Sequence, residues 1–458
     1  MRKLNQEEKV NYMTTEKVPK LICSLAVPTI ISMLVTTFYN MVDTYFVGKI
    51  NNQATAAVGV VFSVMTLIQA LGFFFGHGSG NYISRKMGER DYENAEKMAS
   101  FSFFVSFFTG VLVAVICLIF MEPLAVVLGS TKTILPYTLD YMKIILLGTP
   151  FIMSSFVLNN QLRYQGSANY AMVAIVLGAI INIALDPILM FVCDLEIKGA
   201  AYATIISQIA SFILLLVVSN RGQNIHISLK KCELKFVYFK EIIRGGAPSL
   251  FRQGLVSIAS IILNNIAADI NDATVAAMSV VSRITMFANS TLIGFGQGFQ
   301  PVCGMNYGAK LYNRVREGFW FCVKYSFVFL IVLSGFAYIF APWLVGLFRD
   351  DKEVIRIGTT VLRFQCMAFP LNSVIVLTNM MLQSTGKGIW ATIVASSRQG
   401  FFFIPIVIIL SELFGLTGLE ISQTIADVCA FLLSLPVALY YMNQFKKGNK
   451  INEKSFSS

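Results

Sequence analysis

The chain has 458 residues, of which 55% are hydrophobic and 13% are charged, and its mean hydropathy is +0.66. Soluble globular proteins contain about 25% charged residues, so this composition excludes a soluble globule. The net charge of +11 has a topological explanation in a membrane protein, and we predict no nucleic-acid partner.

The chain begins with a polar segment. Residues 1–20 carry no apolar core of the kind that a cleavable signal peptide needs. We therefore predict that 1–20 is a cytoplasmic N-terminal segment and that the first membrane helix serves as an uncleaved anchor.

Long apolar blocks follow, and each is long enough for a membrane helix, which needs roughly 20 apolar residues. The strands of a β-barrel would be shorter and would alternate in polarity. We therefore predict an all-α polytopic membrane protein with about twelve transmembrane helices. The blocks lie near 25–48, 54–83, 99–128, 133–163, 170–192, 198–219, 246–269, 274–304, 318–348, 353–384, 388–411 and 416–443.

The two halves of the chain resemble each other at a shift of about 220 positions. Pro28 corresponds to Pro248, and FGHG at 75–78 corresponds to FGQG at 295–298. Six helices per half is an even number, so both halves enter the membrane from the same side, as in a parallel internal repeat. The predicted segments are a six-helix bundle at 21–219, a basic cytoplasmic linker at 220–245, a second six-helix bundle at 246–444 and a cytoplasmic tail at 445–458.

Basic residues are concentrated on one side of the predicted helices. If both termini are cytoplasmic, about 24 lysines and arginines fall on inner segments and about 6 on outer loops. Inner loops of membrane proteins carry such an excess, so the bias predicts a multi-pass protein with both termini in the cytoplasm.

Motifs for energy coupling by nucleotides and for catalysis are absent from the sequence. It contains no GxxxxGK[ST], HExxH or GxSxG pattern, and its eight cysteines are scattered without metal-ligand spacing. We predict that the protein is not an enzyme, that it needs no cofactor or metal, and that it is not driven by ATP.

An embedded acid marks the fifth block, which contains NIALDPILM at 182–190. A charge at this depth costs at least about 2.5 kcal/mol, so Asp186 needs an explanation. Asn182 lies four residues earlier and shares its helix face, while Pro187 kinks the helix and frees the carbonyl of Ile183. These oxygens suit a small cation or a proton. The alternative is a kinked helix in which Asp186 bonds to neighbouring hydroxyls.

The embedded charges of the second half are basic instead. Arg252, Arg283 and Arg398 lie in its apolar blocks, and we expect no carboxylate partner for them in that bundle. Arg283, Arg398 and Gln399 are candidate polar contacts, either with substrate or between helices. Backbone carbonyls, an anionic substrate or a lipid are the alternatives for the arginines. This contrast assigns the ion chemistry to the first bundle.

These residues resemble the multidrug and toxic compound extrusion (MATE) transporters, in particular their DinF/MepA-type bacterial branch, over about residues 15–445. The resemblance rests on YNMVDTYFVG at 39–48, NIALDPILM at 182–190, KGAAYATIISQ at 198–208, the paired FGxG segments and GLTG at 415–418. It implies the V-shaped MATE fold and a secondary active multidrug efflux antiporter of the bacterial inner (plasma) membrane.

The resemblance also implies a coupling site for Na⁺ or H⁺ in the first bundle. The family's residues fall on Asp43, Asn182, Asp186 and Thr204 of this sequence. On the residues alone, Asp43 could equally reach the membrane surface, and Thr204 could bond to its own helix.

The implied substrates are amphipathic small molecules, chiefly lipophilic organic cations, and the arginines of the second half leave anions open. Beyond its substrates and the lipid bilayer we predict no partner, and we expect a monomer. Two alternatives to the antiporter are a flippase for lipid-linked precursors from the same superfamily and a non-transporting membrane receptor or scaffold.

Overall fold

A computed structural model describes residues 6–220 and 224–456 of the chain. The predicted cytoplasmic segments extend beyond it at 1–5, 221–223 and 457–458, which lie outside the described residues. The described residues form helices and no strand, in agreement with the predicted all-α class. The helices are α1 (Gln6–Thr15), α2 (Val18–Val47), α3 (Asn52–Gly88), α4 (Tyr92–Ile119), α5 (Met121–Val127), α6 (Leu135–Tyr164), α7 (Ala168–Pro187), α8 (Glu196–Asn220), α9 (Phe236–Ile270), α10 (Asp272–Gly308), α11 (Tyr312–Ile339), α12 (Ala341–Gly346), α13 (Lys352–Ala368), α14 (Asn372–Ser384), α15 (Gly388–Ser396) and α16 (Ile404–Phe456).

The helix boundaries repeat as the sequence predicts. α10 begins and ends 220 residues after α3, and α11 begins and ends 220 residues after α4. The same local chemistry starts the paired helices, because Asn51 and Asn271 each accept a backbone N–H at 2.7 Å, from Ala54 and Thr274 respectively. An asparagine cap of this kind stabilises a helix by about 1 kcal/mol. The internal repeat of two helical bundles is confirmed.

Ten helical segments within the described residues are long and apolar enough to cross a membrane, and the last of them, Gly388–Gly448, has 61 residues. At about 1.5 Å per residue its length is roughly three times the thickness of a bilayer core. It bends at Gly415, where φ is 57° and ψ is −129°, so it has room for two crossings. α10 has the length of a span but is not among the ten. The count of twelve therefore stays a prediction.

Within the segment 220–245, which we predict to be a cytoplasmic linker, helix α9 already begins at Phe236. Tyr238 and Ile242 are buried one turn apart, while Lys240 is exposed. This spacing places the apolar side chains on one face of a helix and the charge on another, so the segment folds as an amphipathic extension of α9.

α1 contacts both bundles at the end of the molecule that carries Arg85, Lys86, Lys97, Arg244 and Arg314, which we call the basic end. Lys9 donates to Ser167 Oγ at 3.0 Å in the first bundle, and Asn306 Nδ2 of the second bundle donates to the carbonyl of Met13 at 3.1 Å. Burial of its side chain lowers the pKa of Lys9 to about 8. The helix α1 thus bridges the two bundles.

The two bundles touch through glycines near the basic end, along a line that we call the glycine seam. A Cβ atom on Gly78 would lie 2.6 Å from the carbonyl oxygen of Ile242, and one on Gly246 would clash with the backbone of Phe74. Only glycine allows backbones to approach this closely, as at other membrane helix interfaces. α3 and α9 are therefore in backbone contact across the seam.

Candidate functional site

The fifth membrane segment places Asn182 and Asp186 on one buried face. Their side chains are 1% and 0% exposed, and Asn182 Nδ2 donates to Asp186 Oδ1 at 3.4 Å. The α-helix ends at Pro187 and continues as a π-helix over Ile188–Val192. Such π-helical turns are rare and occur frequently at functional sites. The proline therefore changes the helical hydrogen-bond pattern directly beside the carboxylate.

Two further helices bring Asp43 and Thr204 to the same region. Asp43 of α2 is close enough to Asp186 to interact with it electrostatically. Tyr141 of α6 interacts electrostatically with both carboxylates and has Thr204 of α8 as a neighbour. The structure thus brings together the four residues that the sequence singled out. Tyr141 was not predicted, because a tyrosine in an apolar block is usually a packing residue.

Three buried oxygens at this site form no hydrogen bond with any described residue. They are Asp43 Oδ1, Asn182 Oδ1 and Asp186 Oδ2. A buried acceptor without a donor costs about 1–3 kcal/mol, and more if it is charged. A monovalent cation coordinated by two carboxylates and an amide oxygen would satisfy all three atoms, whereas a proton would bond to one carboxylate oxygen and be donated to a second acceptor. No cluster of three or more His, Cys, Asp or Glu side chains is found among the residues that the structure describes.

A family model connects this geometry with known proteins. The MatE model matches residues 28–188 and 248–409, which is one copy in each bundle and more than half of the chain.

The chain belongs to the MatE family.

Relatives agree with this membership over nearly the whole chain. The multidrug export protein MepA of Staphylococcus haemolyticus is 30% identical over 430 residues, which are 93% of this chain and 95% of the relative. MepA of Staphylococcus aureus is 28% identical over 437 residues, or 95% and 96% of the two chains. An outward-facing multidrug resistance MATE transporter of the MOP superfamily superposes with a TM-score of 0.90 at 28% identity, covering 96% of this chain and 99% of the other. This MatE protein is therefore a transporter rather than an enzyme.

The second bundle of this MatE transporter does hold an acid, so the expectation that its arginines lack a carboxylate partner was wrong. Arg398 Nε donates to Asp427 Oδ1 at 2.7 Å. Asn372 Nδ2 and Gln423 Nε2 donate to the same carboxylate at 3.0 and 2.7 Å, and Gln399 donates to Gln423 at 3.5 Å. Arg398 and Gln399 lie in a second π-helix, Ser397–Phe403. Asp427 could have been found from the sequence, because it lies inside the last apolar block.

Arg283 has a different environment. It is exposed and forms no hydrogen bond or ion pair with any described residue. It lies seven residues before Ser290, whose hydroxyl is 3.2 Å from the hydroxyl of Thr37 on α2. Seven residues are about two helical turns, so Arg283 lies on the face of α10 that is turned toward the first bundle. Of the two roles predicted for Arg283, a contact between helices is not seen among the described residues, and a contact with substrate stays a prediction.

Near the seam, Arg163 joins the bundles through hydrogen bonds that the sequence did not predict. Its side chain is 2% exposed, and Nη1 donates to the carbonyl of Gln297 at 2.8 Å and to Gln300 Oε1 at 3.3 Å. Nη2 donates to Asn160 Oδ1 on its own helix. Arg85 adds a second bridge, with Nη2 at 2.8 Å from Glu241 Oε2. These contacts hold the basic ends of the bundles together.

Replacing Arg163 with glutamine is expected to separate the basic ends more often. Each lost bond from a charged donor is worth about 1.5–3 kcal/mol, so the population of separated molecules should rise at least tenfold. Pulsed electron paramagnetic resonance between spin labels at Glu93 and Glu317 would measure the distances. Arg244→Gln is the matched control, because Arg244 bonds to Glu241 on its own helix. Equal distance distributions for Arg163→Gln and the control would contradict a role for Arg163 in joining the bundles.

Proposed function

We propose that the protein is a cation-coupled multidrug efflux antiporter of the bacterial inner membrane, with both termini in the cytoplasm. It exports amphipathic small molecules in exchange for Na⁺ or H⁺. The observation that carries the proposal is the set of three unpaired buried oxygens on Asp43, Asn182 and Asp186. The names of the relatives, multidrug export proteins, support the substrate class.

Coupling follows from the position of these oxygens between movable helices. A cation or proton that enters from outside reduces the negative charge of Asp43 and Asp186, which weakens their mutual repulsion and tightens the existing contact between α2 and α7. The new packing favours one state of the two bundles over the other and weakens substrate binding in the outward-facing state. The ion can shift this equilibrium only by its difference in affinity for the two states, and the effect is reciprocal between ion and substrate.

Separate ion gradients test the proposal. Purified protein in liposomes is given a Na⁺ gradient alone, a pH gradient alone or neither, and the accumulation of a cationic dye, ethidium, and of a zwitterionic dye, rhodamine 110, is followed separately by fluorescence. We expect accumulation with one of the two gradients and none without a gradient or without protein. Equal rates under all three conditions would rule out antiport.

A further inference from the structure

Arg252 is an unpaired positive charge at membrane depth between the bundles. It is partly exposed and forms no hydrogen bond or ion pair with any described residue. It lies on α9 three residues after Ser249, whose hydroxyl contacts His77 of α3 at 2.6 Å, so it lies about one turn beyond that contact on the same face. His77, Arg163 and Tyr164 are its electrostatic neighbours, and none of them is an acid.

Two buried polar atoms beside Arg252 also lack partners. His77 is 1% exposed and Tyr164 is 0% exposed, with ring centroids 6.2 Å apart. His77 Nε2 and the Tyr164 hydroxyl form no hydrogen bond with any described residue. Together with the guanidinium of Arg252, they form a group of unsatisfied polar atoms that draws on both bundles.

The hydrogen-bond network allows an arrangement in which His77 Nε2 is a donor. Gln383 Nε2 donates to the carbonyl of Gly245 at 2.9 Å, which fixes the amide orientation because a carbonyl can only accept. The same Nε2 donates to Ser249 Oγ at 2.8 Å, so the proton of Ser249 is free to bond to His77 Nδ1. Neutral His77 then carries its proton on Nε2, and protonated His77 carries one there as well.

We infer that Arg252, His77 and Tyr164 form a binding site for the anionic group of an amphipathic substrate. All three can donate, and a carboxylate, sulfonate or phosphate would satisfy them together with the uncompensated charge. Phe73 lies with its ring centroid 5.0 Å from that of His77 and 5.0 Å from that of Phe156, which offers an aromatic surface to the apolar part of the ligand.

The inference rests on the proposed transport function and narrows its substrates to anionic and zwitterionic amphipaths. An anion bound here would contact α9 of the second bundle and both α3 and α6 of the first. A purely cationic compound would meet repulsion from Arg252 and Arg163.

A pair of dyes that differ only in charge tests the site. Rhodamine 110 carries a free carboxylate, and rhodamine 123 is its methyl ester. Equilibrium binding to the protein in phosphatidylcholine nanodiscs is measured by fluorescence polarisation. We expect the wild-type protein to bind the acid about tenfold more tightly than the ester, since a bond to a charged group is worth about 1.5–3 kcal/mol.

Variants assign the preference to the site. Arg252→Gln should lower the affinity for the acid at least tenfold and leave the ester unchanged, Arg252→Lys should keep part of the preference, and Tyr164→Phe should weaken only the acid. Arg356→Gln is the matched control, since Arg356 is exposed beside Glu353. Size-exclusion chromatography of each variant checks folding, and Arg252→Lys and Tyr164→Phe keep the test decisive if Arg252→Gln does not fold. An unchanged preference in these variants overturns the inference.

Lipid is the other source of an anionic group. Repeating the titration in nanodiscs with phosphatidylglycerol distinguishes a lipid headgroup from a soluble substrate as the occupant of the site. A lipid phosphate in the site would compete with the acid in the wild type but not in Arg252→Gln. Such competition supports the anion site and assigns it to lipid. Because the assay uses no ion gradient, its result is independent of antiport: gradient-driven transport without any preference for the acid would overturn this inference alone.

Discussion

Replacing Asp186 with asparagine is expected to lower gradient-driven transport by roughly 5- to 150-fold. This is the change in affinity that corresponds to a typical coupling free energy between two sites. The change keeps the size of the side chain and its contact with Asn182, but it removes the charge that a cation or proton neutralises. Transport of a dye in liposomes with an imposed gradient, compared with exchange of the same dye without a gradient, measures the effect. The gradient-driven component should fall while the exchange component remains.

The thermal stability of Asp186→Asn should not fall with its transport activity. Asp186 Oδ2 is buried without a partner, so the neutral asparagine relieves an unfavourable buried charge and should leave the melting temperature equal or higher. Asp140→Asn is the matched control, because Asp140 is about half exposed and pairs with Lys198 at 3.3 Å. If Asp186→Asn and Asp140→Asn transport equally well under a gradient, Asp186 is not the coupling residue.

Replacing Asp427 with asparagine is expected to destabilise the protein by about 3–5 kcal/mol, the usual effect of breaking a buried ion pair from one side. Asp427 is 1% exposed, and its carboxylate accepts from Arg398, Asn372 and Gln423. The variant would leave the guanidinium of Arg398 in the interior without its counter-ion. Thermal unfolding in detergent, followed by intrinsic fluorescence, would show a lower melting temperature.

A double variant distinguishes lost pairing from lost packing. Arg398→Met with Asp427→Leu removes both charges, and we expect it to regain most of the stability, because apolar replacements of a buried pair are often neutral or stabilising. Glu412→Gln, an exposed acid on the same helix, should unfold like the wild type. A double variant as unstable as Asp427→Asn would show that the polar network has a further role.

The sequence predicted those features of the fold and of the site that depend on a repeated pattern or on residues close together in the chain. The shift of about 220 positions predicted the paired helices, because equivalent caps such as Asn51 and Asn271 stand at the same place in each half. The spacing of Asn182 and Asp186 placed them on one helix face, and the resemblance added Asp43 and Thr204. All four lie in one region of the first bundle.

The contacts between helices were the part that could not be predicted. Whether Arg398 meets Asp427, or Arg163 meets Gln297, depends on the rotation and depth of helices that are far apart in sequence. Hydrophobicity gives little guidance there, because a membrane helix is apolar on its lipid face as well as on its packed face. The unpaired atoms of His77 and Tyr164 are likewise visible only once every neighbour has a position.

The glycine seam has a consequence for the rate of the transport cycle. Across it, Gly78 and Gly246 bring backbone against backbone, so neither of these two positions has a side chain that must change rotamer when the bundles part, whereas His77 and Ser249 meet through their side chains. Resistance to separation comes from apolar packing, such as that of Tyr238 and Ile242, and from directional bonds, such as those of Arg163 and Arg85, which act only over the distance of a hydrogen bond. Because these interactions are short-ranged, we expect the basic ends to be either in contact or separated, with intermediate separations rarely populated.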